Sequence, residues 1–252
     1  MINLRMAWSV ILAWTVLLPA AASAQYSPDA TLDLGIGYGQ MALGQAALSG
    51  TRSIGRTSEK ASRDARHPQT KPAPPAPILG SLTFHSTPAV TRVVNQRFID
   101  WQARKHPNLR AQLAEGINSG ELQTYFADVL RRYGYATDNL ADISSGYYLS
   151  LWKIVHGREP TAVQIAGVRR QTREAMAQDD ALMQLSDAAK QEICETFALH
   201  TALALQGYEQ LIHSGDRHTL ANFRNGLQAT LAPQGPNLAT LMLSDAGFIA
   251  ED

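Results

Sequence analysis

From Thr87 to Leu231 the apolar residues of this chain recur three and four positions apart, and glycine or proline stands at most breaks in that rhythm. A three-and-four spacing puts side chains on one stripe of a helix, whereas a strand would need alternation by two. Helices carrying one apolar stripe each must bury those stripes against one another. The expected architecture is therefore all-α: a single compact bundle of about six helices over residues 83–252, with no β-rich segment after residue 82.

The helix boundaries follow from caps and stops. Thr87-Pro88 reads as an N-cap with proline at the first helical position, where its missing N–H costs nothing. Val90, Val93, Val94, Phe98 and Trp101 form one face, and Pro107 ends the run. Ser119 opens the next helix, through Leu122, Phe126, Val129 and Tyr133 to a stop at Gly134. Asn139 caps a third, and Asp142 sits where its reach and its charge both suit a helix start. Ile143, Tyr147, Tyr148, Leu151, Trp152, Ile154 and Val155 cover more than half of that helix, which places it at the centre of the bundle. Ser144, Ser145 and Gly146 would let a neighbour approach closely, and Gly157 ends it. Pro160 begins a helix to about Gln178. Ser186 caps the longest, with Ala189, Ile193, Phe197, His200, Ala204, Tyr208 and Leu211 on one stripe. After Ser214-Gly215, Asp216 caps a last helix that Pro233 stops.

The N-terminal third reads differently. Arg5, an apolar run from Ala7 to Leu18, Pro19 and then Ala22-Ser23-Ala24 have the layout of a cleavable signal peptide over residues 1–24. That run falls short of the roughly 20 apolar residues that span a bilayer. Residues 25–82 read as a disordered tether, with six basic and two acidic side chains between Thr51 and Lys71, then Lys71-Pro-Ala-Pro-Pro-Ala-Pro77 as a semi-rigid spacer. The expected location is periplasmic or secreted, with no stable membrane insertion after cleavage. Cys194 is the lone cysteine, so no intramolecular disulfide can form and the core must hold the fold. The whole chain balances 22 basic against 22 acidic residues, which offers no global attraction to nucleic acid.

Motifs for chemistry are sparse. There is no His-Glu-x-x-His and no histidine pair at i, i+4 spacing; His200, His213 and His218 imply no geometry, and no metal site is expected. Gly35, Gly37 and Gly39 lack the strand and helix that would make a dinucleotide loop, and no Gly-Lys-Ser/Thr follows, so no cofactor is expected. Cys194 lies beside Ile193 and Phe197 and reads as a small hydrophobe. Asp142 with Glu121 or Glu159 is the one imaginable acid/base couple, with helix capping the preferred account of Asp142. Two constellations remain as candidate binding residues. Tyr147, Tyr148 and Trp152 form an aromatic cluster that reads first as core and, if exposed, as a hot spot. Arg169, Arg170 and Arg173 form a basic cluster that reads first as a solvated face and otherwise as an anion-binding patch.

Arg92 and Asn95, Tyr133-Gly134, Asn139-Leu-Ala-Asp142, Trp152, Gly157, Gln164, Arg169-Arg-Gln171, Lys190-Gln-Glu192 and Gly247-Phe248 occur here in a characteristic order. In that order the chain resembles, over about residues 84–249, a family of exported bacterial proteins known as the domain of unknown function 6683. The resemblance implies a secreted, mostly helical domain behind a variable N-terminal region, and it brings no activity, cofactor or catalytic residue.

The functional expectation is an exported, non-catalytic protein that binds an envelope or extracellular protein. Its alternatives are a cell-wall hydrolase or lyase using Asp142 as acid/base, and a chaperone or inhibitor-like module for a co-secreted partner.

Overall fold

The computed structural model describes residues 81–105, 107–231 and 237–250. The leader expected over residues 1–24, and the tether up to residue 80, lie outside the described residues. Among those described, eight α-helices follow in order: α1 Pro88–Lys105, α2 Arg110–Asn118, α3 Glu121–Arg132, α4 Leu140–His156, α5 Ala162–Ala177, α6 Asp180–Met183, α7 Asp187–Ser214 and α8 Arg217–Leu231. A two-stranded antiparallel hairpin follows them, β1 Leu241–Ser244 and β2 Gly247–Ala250.

The helical expectation holds, with two more helices than foreseen. Pro107 ends α1 but also starts a 3-10 turn that leads into α2. The single-turn α6 is nucleated by Asp179, whose carboxylate accepts the Ala181 and Leu182 N–H groups. Most expected caps are in place. The Asn139 side chain accepts from the Ala141 and Asp142 N–H groups, and Ser186 accepts from Ala189. Gly157 and Gly215 end α4 and α7 in the left-handed region, which glycine enters without steric cost. On α1, Val94 and Phe98 are buried as expected, but Val93 is turned outward and 47% exposed.

Helix α4 is the centre of the bundle. Every residue from Leu140 to Trp152 is buried, so it is covered on all sides. The close approach foreseen at Gly146 is there: a Cβ at that position would run into a terminal methyl of Leu130 on α3, which would have to move aside. Against α4 lies α7, whose 28 residues run about 42 Å at 1.5 Å per residue and also pack on α1, α3 and α8.

The lead-in before α1 is stitched to both long helices. Leu82 C=O accepts Leu140 N–H at 2.9 Å, and Phe84 N–H donates to Asp138 C=O at 3.0 Å. The buried Lys190 on α7 donates from Nζ to Ser81 C=O at 2.6 Å. Both backbone groups of Thr87 are then gripped by one amide: Gln191 Oε1 accepts Thr87 N–H at 2.8 Å and its Nε2 donates to Thr87 C=O at 2.9 Å.

The hairpin corrects the expectation of no β structure beyond residue 82. Its strands are only four residues each, too short for a period to stand out, and an isolated hairpin of this size is marginal in water. It forms because helices complete its edges. In the ladder, Leu241 pairs with Ala250, Met242 with Ile249, Leu243 with Phe248 and Ser244 with Gly247. Alternate residues of an antiparallel pair turn their polar groups away from the partner strand. On the β1 side the outward carbonyl of Leu241 accepts Trp152 Nε1–H at 2.8 Å, and that of Leu243 accepts Gln164 Nε2–H at 3.1 Å. On the β2 side Gln171 takes both backbone groups of Phe248. Leu241 and Phe248 meanwhile join the core.

Candidate functional site

Of the residues nominated by the sequence, Asp142, Arg169 and Arg173 meet at the junction of α4 and α5. Helix α5 starts in a capping box in which Thr161 accepts Gln164 N–H and Gln164 Oε1 accepts Thr161 N–H. The three consecutive residues Arg169, Arg170 and Gln171 then point, at 100° per residue, toward three different structures. Gln171 faces β2, Arg170 reaches the hairpin turn at Asp245 C=O, 3.5 Å away, and Arg169 faces α4.

Arg169 meets Asp142 there, and Arg173, one turn further along α5, meets it too. Arg169 Nε and Nη2 donate to Asp142 Oδ1 and Oδ2 at 3.0 and 2.6 Å. Arg173 Nε and Nη2 donate to the same two oxygens at 2.8 and 2.9 Å. A fifth donor is the Ala136 N–H, 2.8 Å from Oδ2. Burial works against the charge on Asp142, but the bonds from Arg169, Arg173 and Ala136 outweigh it and hold the carboxyl below its ordinary range. The hydrogen bond to Asp142 in turn raises Arg169. Below Arg169 lies the Tyr135 ring, 5.5 Å from the guanidinium carbon and itself fixed by a 2.7 Å bond from its hydroxyl to Ile165 C=O.

Two sequence-based expectations are revised by this arrangement. Asp142 makes no capping hydrogen bond at the start of α4, although its charge does lie in the first turn: its oxygens are spent on α5 and on the loop before α4. Its side chain has no exposed surface, and its pKa is held down by those bonds. Arg169 and Arg173 are not simply a solvated face, although their side chains stay 33% and 44% exposed. The signal that could have found the clamp is their four-residue spacing, which puts two cations on one helix face and calls for a shared acid.

The aromatic cluster is core. Tyr147, Tyr148 and Trp152 are each 3% exposed, so they present no face to a partner. Tyr147 stacks on Phe197 with ring centroids 4.3 Å apart and meets Tyr148 edge-on. Trp152 stacks on His156 and spends its N–H on Leu241. Of the carboxylates paired with Asp142 in the acid/base alternative, Glu159 is held by Lys153 at 2.5 Å, and Glu121 is exposed in the first turn of α3. Cys194 is buried, and burial pushes its thiol well above the ordinary range. His200 lies among Phe98 and Trp101, while His213 bonds Glu209 C=O at 2.7 Å. Among the described residues no group of three or more His, Cys, Asp or Glu is arranged to hold a metal ion, and no helix is long and apolar enough to cross a membrane. A hollow of about 160 Å³ lies elsewhere, between α3, α4 and α7, where Tyr125 donates to Glu209 at 2.7 Å.

Many residues that carry the resemblance noted above prove to be pins of this architecture: Asn139, Asp142, Trp152, Gly157, Gln164, Arg169, Gln171, Lys190 and Gln191. A family model, described as a family of unknown function (DUF6683), matches residues 6–233. The chain belongs to that family. The DUF6683 match begins well before α1 and stops short of the hairpin, whereas the resemblance read from the residues was placed over 84–249. No curated protein and no solved structure matches the chain.

Proposed function

We propose that this chain is an exported, non-catalytic protein whose helical domain binds an envelope or extracellular protein through the α5 face bearing Arg169, Arg170 and Arg173. The observation that carries the reading is the state of Asp142. The carboxylate nominated as acid/base accepts five hydrogen bonds and has no exposed surface, while the two arginines it locks keep one-third to nearly one-half of their side chains exposed. Binding is what a fixed, partly exposed charged pair can do without a reactive group. Export rests on the leader-like layout of residues 1–24.

Two measurements test it. Peptidoglycan zymography with the purified protein is expected to show no clearing. Clearing that disappears in Asp142→Asn would overturn the non-catalytic reading. A pull-down from periplasmic extract is expected to recover a partner that is lost when Arg170 and Arg173 are both changed to Gln. Export itself is read by fusing residues 1–24 to a reporter that is active only outside the cytoplasm.

A further inference from the structure

The binding reading leaves open what the arginine face recognises, and the geometry narrows it. We propose that the Asp142-locked pair of Arg169 and Arg173 receives a second carboxylate, supplied by an acidic segment of a protein partner. The inference rests on the binding reading above and adds the chemistry of the ligand.

Charge stoichiometry comes first. Two guanidiniums share one carboxylate, so the cluster carries one uncompensated positive charge. A monoanion completes it. A phosphate dianion would overshoot, which favours a carboxylate over free phosphate; a phosphodiester headgroup is also a monoanion, and the vesicle arm of the test below separates it from the carboxylate. Donor geometry comes second. Each guanidinium carries five N–H groups, and side-on engagement of Asp142 uses one on Nε and one on Nη2. The Nη1 edge of each remains, on side chains one-third to nearly one-half exposed, and a planar fork of this kind fits a carboxylate bidentately. Preorganisation comes third. Arg169 is held at its edge by Asp142 and on its face by Tyr135, so the rotamer freedom a free surface arginine would lose on binding is already gone.

The test uses the full-length chain and observes the Nε–H resonances of Arg169 and Arg173 by NMR. The probe is a capped peptide of six glutamates. Inorganic phosphate and vesicles of phosphatidylcholine with phosphatidylglycerol are the competing arms. The peptide is expected to shift both resonances saturably, and Arg173→Gln to weaken its binding about tenfold, with Arg131→Gln as an unaffected control. Arg173→Lys keeps the charge and loses the fork; it too is expected to bind more weakly, while its far-UV circular dichroism at the assay temperature remains that of the folded helical domain. Three results overturn the proposal: no shift with the peptide, a stronger response to phosphate or vesicles, or peptide binding that Arg173→Gln leaves unchanged. The last would assign the peptide to the basic residues between Arg52 and Lys71. A pull-down partner that survives Arg173→Gln sinks the carboxylate inference and leaves the binding reading standing. Failure of the wild-type protein to recover any partner counts against the binding reading itself.

Discussion

Gln171 treats Phe248 as a neighbouring strand would: its Oε1 accepts the Phe248 N–H at 2.9 Å and its Nε2 donates to the Phe248 carbonyl at 2.8 Å. One side-chain amide thus satisfies both outward backbone groups at that position and closes an edge that would otherwise invite another strand. Gln171→Ala leaves both groups without a protein partner, and the expected cost is about 2 kcal/mol in a urea melt. Gln171→Glu keeps an acceptor for the N–H but sets a carboxylate against the carbonyl, so it is expected to loosen the hairpin as well. Hydrogen exchange at the Phe248 amide reads both effects directly.

Asp142 gives the domain an acid-sensitive joint. Its carboxyl is lowered in the folded state, so its contribution is fully present above the unfolded carboxylate pKa of about 3.9 and is lost as pH falls through the lower folded value. Stability measured by denaturant melts is expected to decline as pH drops below about 4. Asp142→Asn removes the charge from between two arginines that stay partly in water, with an expected cost of about 2–3 kcal/mol at neutral pH. In that variant the dependence below about pH 4 should flatten. A decline as steep as wild type would assign the acid sensitivity to other carboxylates.

Two glycines in helices should respond in opposite directions. A Cβ on Gly167 would sit 2.4 Å from the backbone oxygen of Asp245 in the hairpin turn, so α5 and the turn can touch only where the side chain is missing. Gly167→Ala is expected to cost about 1–3 kcal/mol and to undock the hairpin. Gly116 on α2 has open space where its Cβ would go, and Gly116→Ala should stabilise the domain by about 0.5–1 kcal/mol through helix propensity. Thermal melts of the pair, side by side, check both signs.

Cys194 is buried on α7, with its thiol pushed up first by burial and then by the neighbouring Glu195 carboxylate. A thiol-specific reagent is therefore expected to leave the native protein unlabelled at neutral pH and to react fully in denaturant. Rapid labelling of native protein would mean that α7 opens locally.

Where sequence and structure agree, the cause is local. The Asn139 and Ser186 caps, the Gly157 and Gly215 stops and the apolar wrap of α4 each depend on residues within one or two turns, and all are written in neighbouring positions. Where they part, the partners are distant. The hairpin takes its edge bonds from Trp152, Gln164 and Gln171, which lie 77 to 89 positions earlier, so no reading of residues 241–250 alone could supply them. Asp142 looked like a cap because its true partners stand 27 and 31 positions away. The aromatic cluster followed its more ordinary reading, as core, because α4 is enclosed on every side.

The edge-completed hairpin also sets an order of assembly. A chain emerging N-terminus first has α4 and α5 in hand long before residues 241–248 exist. Until they arrive, the Trp152 indole, the Gln164 amide and the Gln171 amide must satisfy themselves with water, and the core lacks Leu241 and Phe248. Residues 241–250 latch a domain whose helices all precede them, so a chain cut short before residue 241 is expected to keep its helices and lose its lock.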